Sequence, residues 1–257
     1  MTGFLALVRA LGMKRLLILR RYPIDTAGQV ITVAVLFLAL FVGGRSLAGP
    51  TLGGSLGAVV VGYFLWTMAM GAYSSLAGAL TAETQWGTFE QLYLSPRRIE
   101  VVTGAMATVF LLETFLWGTV ILGFMLVVTG VTLHIDLVTI VIVGLLSLGS
   151  AVGVGFCMGG LVIRYKRITS VLGLLQFGFV GFIAAPVGTY PLLHALPLTT
   201  GTHLLRLSME EGVGFGEFPP ELLILLVLKA GVYLALGMVV LRVIVDSARH
   251  RGVIGHY

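Results

Sequence analysis

Leu137–Ile163 reads LVTIVIVGLLSLGSAVGVGFCMGGLVI, 27 residues without one charge. A helix rises about 1.5 Å per residue, so about 20 apolar residues cross a hydrocarbon core about 30 Å thick. This stretch is long enough to span, and its six glycines and one alanine suit close helix packing rather than a strand. Five more stretches of the same kind flank it. They are Ile24–Gly44, with Asp25 at its edge and Gln29 one turn inside, and Leu56–Leu80, which carries no charge. Val101–Thr129 holds Glu113 as its sole charge, Ile168–Val187 none, and Leu222–Leu241 only Lys229. The expectation is an all-α membrane protein with six transmembrane helices forming a single domain over residues 1–257.

The whole composition agrees. Of 257 residues 58% are hydrophobic and 11% charged, and the mean hydropathy is +1.04. A soluble domain carries about 25% charged residues, so a soluble enzyme and a disordered chain are both excluded. Cys157 is the one cysteine, which excludes an internal disulfide and a cysteine-cluster metal site. The longest segment between expected spans is Gly188–Glu221, too short for an independent domain of about 50 residues or more. The first apolar run is expected to be retained as a span, since 23 residues precede it and it is long enough to cross.

Orientation follows from Lys and Arg. With the first residues inside, Arg9, Lys14, Arg15, Arg20, Arg21, Arg97, Arg98, Arg164, Lys166, Arg167, Arg242, Arg249 and Arg251 all fall on the inner side, 13 of 16. Both termini are therefore expected in the cytoplasm. The net charge of +5 is an orientation and headgroup signal, and no nucleic-acid partner is expected.

The connecting segments are more particular. Residues 3–21 place Phe4, Leu7, Val8, Leu11 and Ile18 on one helical face, with Arg9 and Lys14 elsewhere. That pattern suits a basic amphipathic helix in the interface, and Leu16, Leu17 and Leu19 blur it. The inner loop after the second span carries Trp86, Phe89, Leu92 and Tyr93. Phe89, Leu92 and Tyr93 are spaced for one face of a short helix, which Thr88 caps and Ser95-Pro96 ends. Docking on a partner and lying flat among headgroups are both open on this evidence.

Gly87-Thr88-Phe89-Glu90-Gln91-Leu92, followed by Leu94-Ser95-Pro96, resembles a stretch typical of ABC-2-type permeases, the membrane subunits of a class of ABC exporters. Glu83 matches the acidic residue that precedes it there. The chain length, six spans, the basic N-terminal helix, and the proline-marked segment with Pro186, Tyr190, Pro191, Pro197 and Arg206 are similar too. Trp86 and Tyr93 occupy positions that vary in the family. The resemblance implies that Glu83, Trp86 and Gly87–Leu92 form a coupling helix. That helix docks on a separate ATPase subunit, which holds ATP and Mg. It implies a homo- or heterodimer of permease subunits in the plasma membrane, no ATPase site and no cofactor on this chain, and an extracellular re-entrant segment with an exit gate at 186–206. The alternative is a secondary transporter driven by an ion gradient, although the halves show no convincing internal repeat.

Inside the membrane, Glu113 and Lys229 each lie about 18 Å from the inner end of their spans. Such residues face a bundle interior or a cavity. An ion pair between them is geometrically possible, and so are separate polar roles. Gly149-x-x-x-Gly153 and Gly155-x-x-x-Gly159 allow close approach of neighbours, read first as packing within one subunit. Tyr63, Phe64, Trp66, Phe110, Phe115 and Trp117 are read as core or lipid-facing residues rather than pathway lining. No phosphate loop, zinc motif or nucleophile elbow occurs. His134, His194, His203, His250 and His256 are read as solvated or interfacial, and no metal is expected.

Overall fold

The computed structural model describes residues 3–48, 56–85, 97–165 and 169–250. Within them the chain is helical and contains no strand. The helices are α1 (Phe4–Arg21), α2 (Pro23–Ala48), α3 (Leu56–Gln85), α4 (Ile99–Thr129), α5 (Leu137–Tyr165), α6 (Thr169–Ile183), α7 (Thr199–Glu211) and α8 (Pro220–His250). Short 3-10 turns cover Pro191–Ala195 and Phe215–Glu217.

Five helices, α2, α3, α4, α5 and α8, are long and apolar enough to cross a membrane. The apolar runs fix their lengths and local chemistry fixes their ends. Pro23 and Pro220 start α2 and α8 at a position where the missing N–H costs nothing. Gly130, at φ 66°, ends α4 in the left-handed conformation that glycine adopts freely. Asp136 then caps α5, accepting from Val138 N–H at 3.1 Å and from the Thr139 hydroxyl at 2.5 Å. The Thr139 hydrogen bond is the main reason the Asp136 carboxyl is held below its ordinary value. The expected span over 168–187 differs: α6 has 15 residues and stops at Ile183, where the chain turns towards Pro186. It falls short of about 20 residues.

α5 is the central helix. One face meets α8 so closely that backbones touch. A Cβ at Gly153 would run into the Tyr233 carbonyl, and one at Gly237 into the Gly153 backbone. Gly149 lies under Ala230, and Gly160 under Leu241 and Ile244. The other face meets α3, with Gly155 against the Tyr73 backbone and Gly159 against Leu80. The two small-residue motifs thus serve two contacts within one subunit. Gly71 of α3 likewise makes room for Thr114 of α4, and Gly118 for Met68. Weak dispersion contacts add up only at such close approach.

α6 runs antiparallel to α3 and is hung on it by hydrogen bonds. Tyr73 OH donates to Leu172 O at 3.3 Å and Trp66 Nε1–H to Gln176 O at 3.4 Å, while Ile183 reaches Gly62. The bundle has two ends. Arg97 donates to Gly3 O, and Glu100 faces Arg242 at 3.4 Å, at one. His134 N–H donates to Met209 O, and Glu210 packs on Gly57, at the other. α1 does not lie apart from the bundle. It runs beside the N-terminal half of α4, with Gly12 facing Val109 and Arg15 facing Glu113.

Candidate functional site

A cavity of about 980 Å³ opens between α1 and α2 on one side and α3, α4 and α6 on the other. α2 supplies Asp25, Thr26, Gln29, Thr32, Val33 and Leu36. It reaches α3 chiefly through Tyr63, whose OH donates to Val33 O at 2.7 Å, and through Phe37, whose ring lies tilted by 55° against the Tyr63 ring at 5.2 Å. Below that contact α2 stands away from α3. Asp25, Gly28, Gln29 and Ser74 are exposed there and form the rim.

Glu113 lies in the wall of this cavity and does not pair with Lys229. Its partner is Arg15 of α1. Nε–H donates to Oε2 at 2.7 Å and Nη2–H to Oε1 at 3.0 Å, a bidentate pair. The side chain of Glu113 is 13% exposed, so the pair is largely shielded from solvent. The Arg15 guanidinium also lies 5.8 Å above the Phe110 ring. Next to it, Lys14 reaches Glu83 at 4.0 Å. α1 is therefore tied to α4 by Arg15 and to the last turn of α3 by Lys14. The spacing of α1 does not single out Arg15, one of five cations before the first apolar run. The usable signal was Glu113 itself, a lone carboxylate inside a span that needs a donor.

Lys229 occupies a second polar site. It is 7% exposed, and Nζ donates to Thr199 Oγ1 and Thr200 Oγ1 at 3.0 Å each. These two threonines open α7, whose N-cap is Leu198 rather than Thr200, at φ 66° in the left-handed region. That conformation is strained for a leucine, and packing offsets it. Leu198 is 1% exposed, and its N–H donates to Ser150 Oγ at 3.1 Å. Thr200 Oγ1 also lies 3.1 Å from His194 Nδ1, and the His194 and His203 rings meet edge to face at 5.9 Å. Burial, then the positive neighbours His203 and Lys229, hold His194 below the ordinary histidine value. His194 is thus a half-buried member of a polar chain, a role that its expected solvated or interfacial position did not specify.

The proline-marked segment is divided in its placement. Pro186, Tyr190 and Pro191 are exposed, and Pro186 O accepts from Thr189 N–H and Tyr190 N–H at 3.1 Å. Pro197 is buried and leads into α7, which packs into the bundle through Leu204, Leu205 and Met209. Arg206 sits 4.0 Å from Glu210 between α7 and α3, where burial raises the Glu210 carboxyl above its ordinary value. Trp86, Gly87, Thr88, Phe89, Glu90, Gln91 and Leu92 lie outside the described residues. Of the aromatic residues read as ordinary packing, Trp66 and Trp117 line the cavity. Among the described residues no group of three His, Cys, Asp or Glu is placed to hold a metal ion.

No protein-family model matches the sequence, and no curated protein matches it.

Proposed function

We propose that the chain is the permease subunit of an ABC-2-type exporter. The observation that carries a transport role is the cavity of about 980 Å³ with polar groups on its wall, set among helices long enough to cross a membrane. Intramembrane charge is costly and is kept where it faces a pathway, as Glu113 does here. The Gly87–Leu92 stretch supports the ABC assignment, and the Lys14–Glu83 contact ties α1 to the helix that leads into it. In this reading α6 is the sixth crossing, both termini are cytoplasmic, and Gly188–Glu221 is a re-entrant extracellular segment with its gate at residues 186–206. Two such subunits in the plasma membrane enclose the pathway. A separate ATPase subunit with ATP and Mg docks on residues 83–92 and drives export by rigid-body motion.

The test is purification from the native membrane in mild detergent, with ATPase activity measured on what comes along. An ATPase subunit is expected to co-purify and to be released by Phe89→Ala with Glu90→Ala. Retention of the oligomer without an ATPase would overturn the ABC reading. The runner-up is then a gradient-driven transporter, which the polar chain Lys229–Thr200–His194 favours. It predicts ion-driven uptake in vesicles of the chain alone.

A further inference from the structure

The chemistry of the cavity is set by where its hydroxyl protons go. Thr26 donates to Tyr22 O at 3.1 Å, Thr32 to Gly28 O at 2.8 Å, Thr67 to Phe64 O at 2.8 Å and Ser74 to Met70 O at 2.5 Å. Each proton goes to a backbone carbonyl three or four residues back, so each oxygen offers lone pairs to anything else it meets. The Gln29 amide donates to Asp25 Oδ2 at 3.0 Å. Arg15, the cation among the lining residues, has its guanidinium engaged by Glu113. Asp25 has no cation within 4 Å among the described residues. The wall therefore offers acceptor oxygens beside the donors of Gln176 and Trp117, and it carries one carboxylate without a charged partner among the described residues. Val33, Leu36, Met70, Ile121 and the rings of Trp66 and Trp117 supply the apolar part.

A ligand that complements this wall brings N–H donors, positive charge and an apolar body. Amide, indole and hydroxyl donors are present too, on Gln176, Trp117, Ser75 and Thr114, but an anion would meet the Asp25 charge with no free cation among the described lining residues to offset it. The volume is that of a small-molecule site. We infer that the cavity takes amphiphilic organic cations with N–H groups. The cationic end sits at Asp25 and Gln29, and the apolar body lies against Val33, Leu36, Ile121 and Trp66. The aromatic faces of Trp66 and Trp117 attract the same charge. This inference rests on the cavity being the transport pathway, and it names the class of substrate.

Two dyes that share a ring system separate the parts. Rhodamine 6G is a permanent cation with ethylamino N–H donors, and fluorescein is its anionic counterpart. Binding to the complex as purified, in phosphatidylcholine nanodiscs, is read by fluorescence anisotropy with empty discs subtracted. Rhodamine 6G is expected to bind at least about tenfold more tightly than fluorescein. Asp25→Asn should weaken rhodamine 6G about tenfold, the loss of one charge-assisted contact, and Asp25→Glu should restore it. Ser74→Trp, which fills the cavity from its exposed rim, should abolish binding. Equal affinity for the two dyes, or an unchanged affinity in Asp25→Asn while Ser74→Trp still blocks, overturns the cation preference and leaves the pathway standing. Unchanged rhodamine 6G binding in Ser74→Trp overturns the pathway and the preference together.

Discussion

A carboxylate twelve residues inside an apolar run must find a donor, and Glu113 finds two on one guanidinium. Removing one partner leaves the other buried and uncompensated, which costs more than the pair contributes net. Glu113→Ala or Arg15→Ala should each lower stability by about 1–3 kcal/mol in thermal unfolding in detergent. The double exchange Arg15→Met with Glu113→Leu should recover most of that loss. Additive damage would remove the pair as the explanation. Lys229, by contrast, should show no coupling to Glu113 in a double-mutant cycle, since its hydrogen bonds go to Thr199 and Thr200. At this scale the sequence showed which residues needed partners and not which partners they took. Glu113 and Lys229 stood out because charge is rare in such runs. Arg15 and Thr199 did not, because arginines are common beside a first span and threonines are common at helix starts.

Between elements, the decisive contacts are made by absent side chains. α5 and α8 cross where Gly153 and Gly237 bring backbone against backbone. Alanine normally stabilises a helix interior by about 0.5–1 kcal/mol over glycine, but at Gly153 its methyl has no space. Gly153→Ala should therefore lower the thermal midpoint. Gly231→Ala on α8, where a Cβ meets nothing within 4 Å, should not. Equal effects at the two positions would exclude the crossing as the cause. The docking of α7 should depend on pH. His194 is held below its ordinary value of 6.5; His203 meets its ring directly and Lys229 faces it across Thr200. The unfolded or undocked chain then binds more protons than the docked one as pH falls below about 6.5. Docking is full above that value and weakens below it as His194 gains its proton. Protection of the Thr199–Glu211 amides, the intrinsic exchange rate relative to the observed rate at each pH, should fall between pH 7 and pH 5, and His194→Gln should flatten that dependence. Helix lengths were legible because uninterrupted apolar runs leave one solution. The path of α1 was not, because its leucines surround the helix and only tertiary contact chooses a face.

On the scale of the whole molecule, the question is how many times the chain crosses. Gly3, Arg97, Glu100 and Arg242 gather at one end of the bundle, and Gly57, His134, Met209 and Glu210 at the other. α6 has only 15 residues, yet it follows α3 from Tyr73 to Gly62 and delivers the chain to the end where α7 docks. If α6 crosses, the starts of α1 and the end of α8 share a membrane side. If it does not, they lie on opposite sides. Single cysteines in a Cys157→Ala background separate the cases. Leu5 and Leu192 are 81% and 88% exposed, and Asp246 lies in the last turns of α8. In sealed vesicles of known orientation, a membrane-impermeant maleimide should label Leu5→Cys and Asp246→Cys from the same side. Leu192→Cys should be labelled from the other. On the proposed reading, the excess of Lys and Arg on the segments that include Leu5 and Asp246 predicts that this shared side is the cytoplasmic one. Labelling of Leu5→Cys and Leu192→Cys from one side, with Asp246→Cys opposite, would reduce the crossings to five. It would also place α7 with the cytoplasmic loops and remove any outer gate.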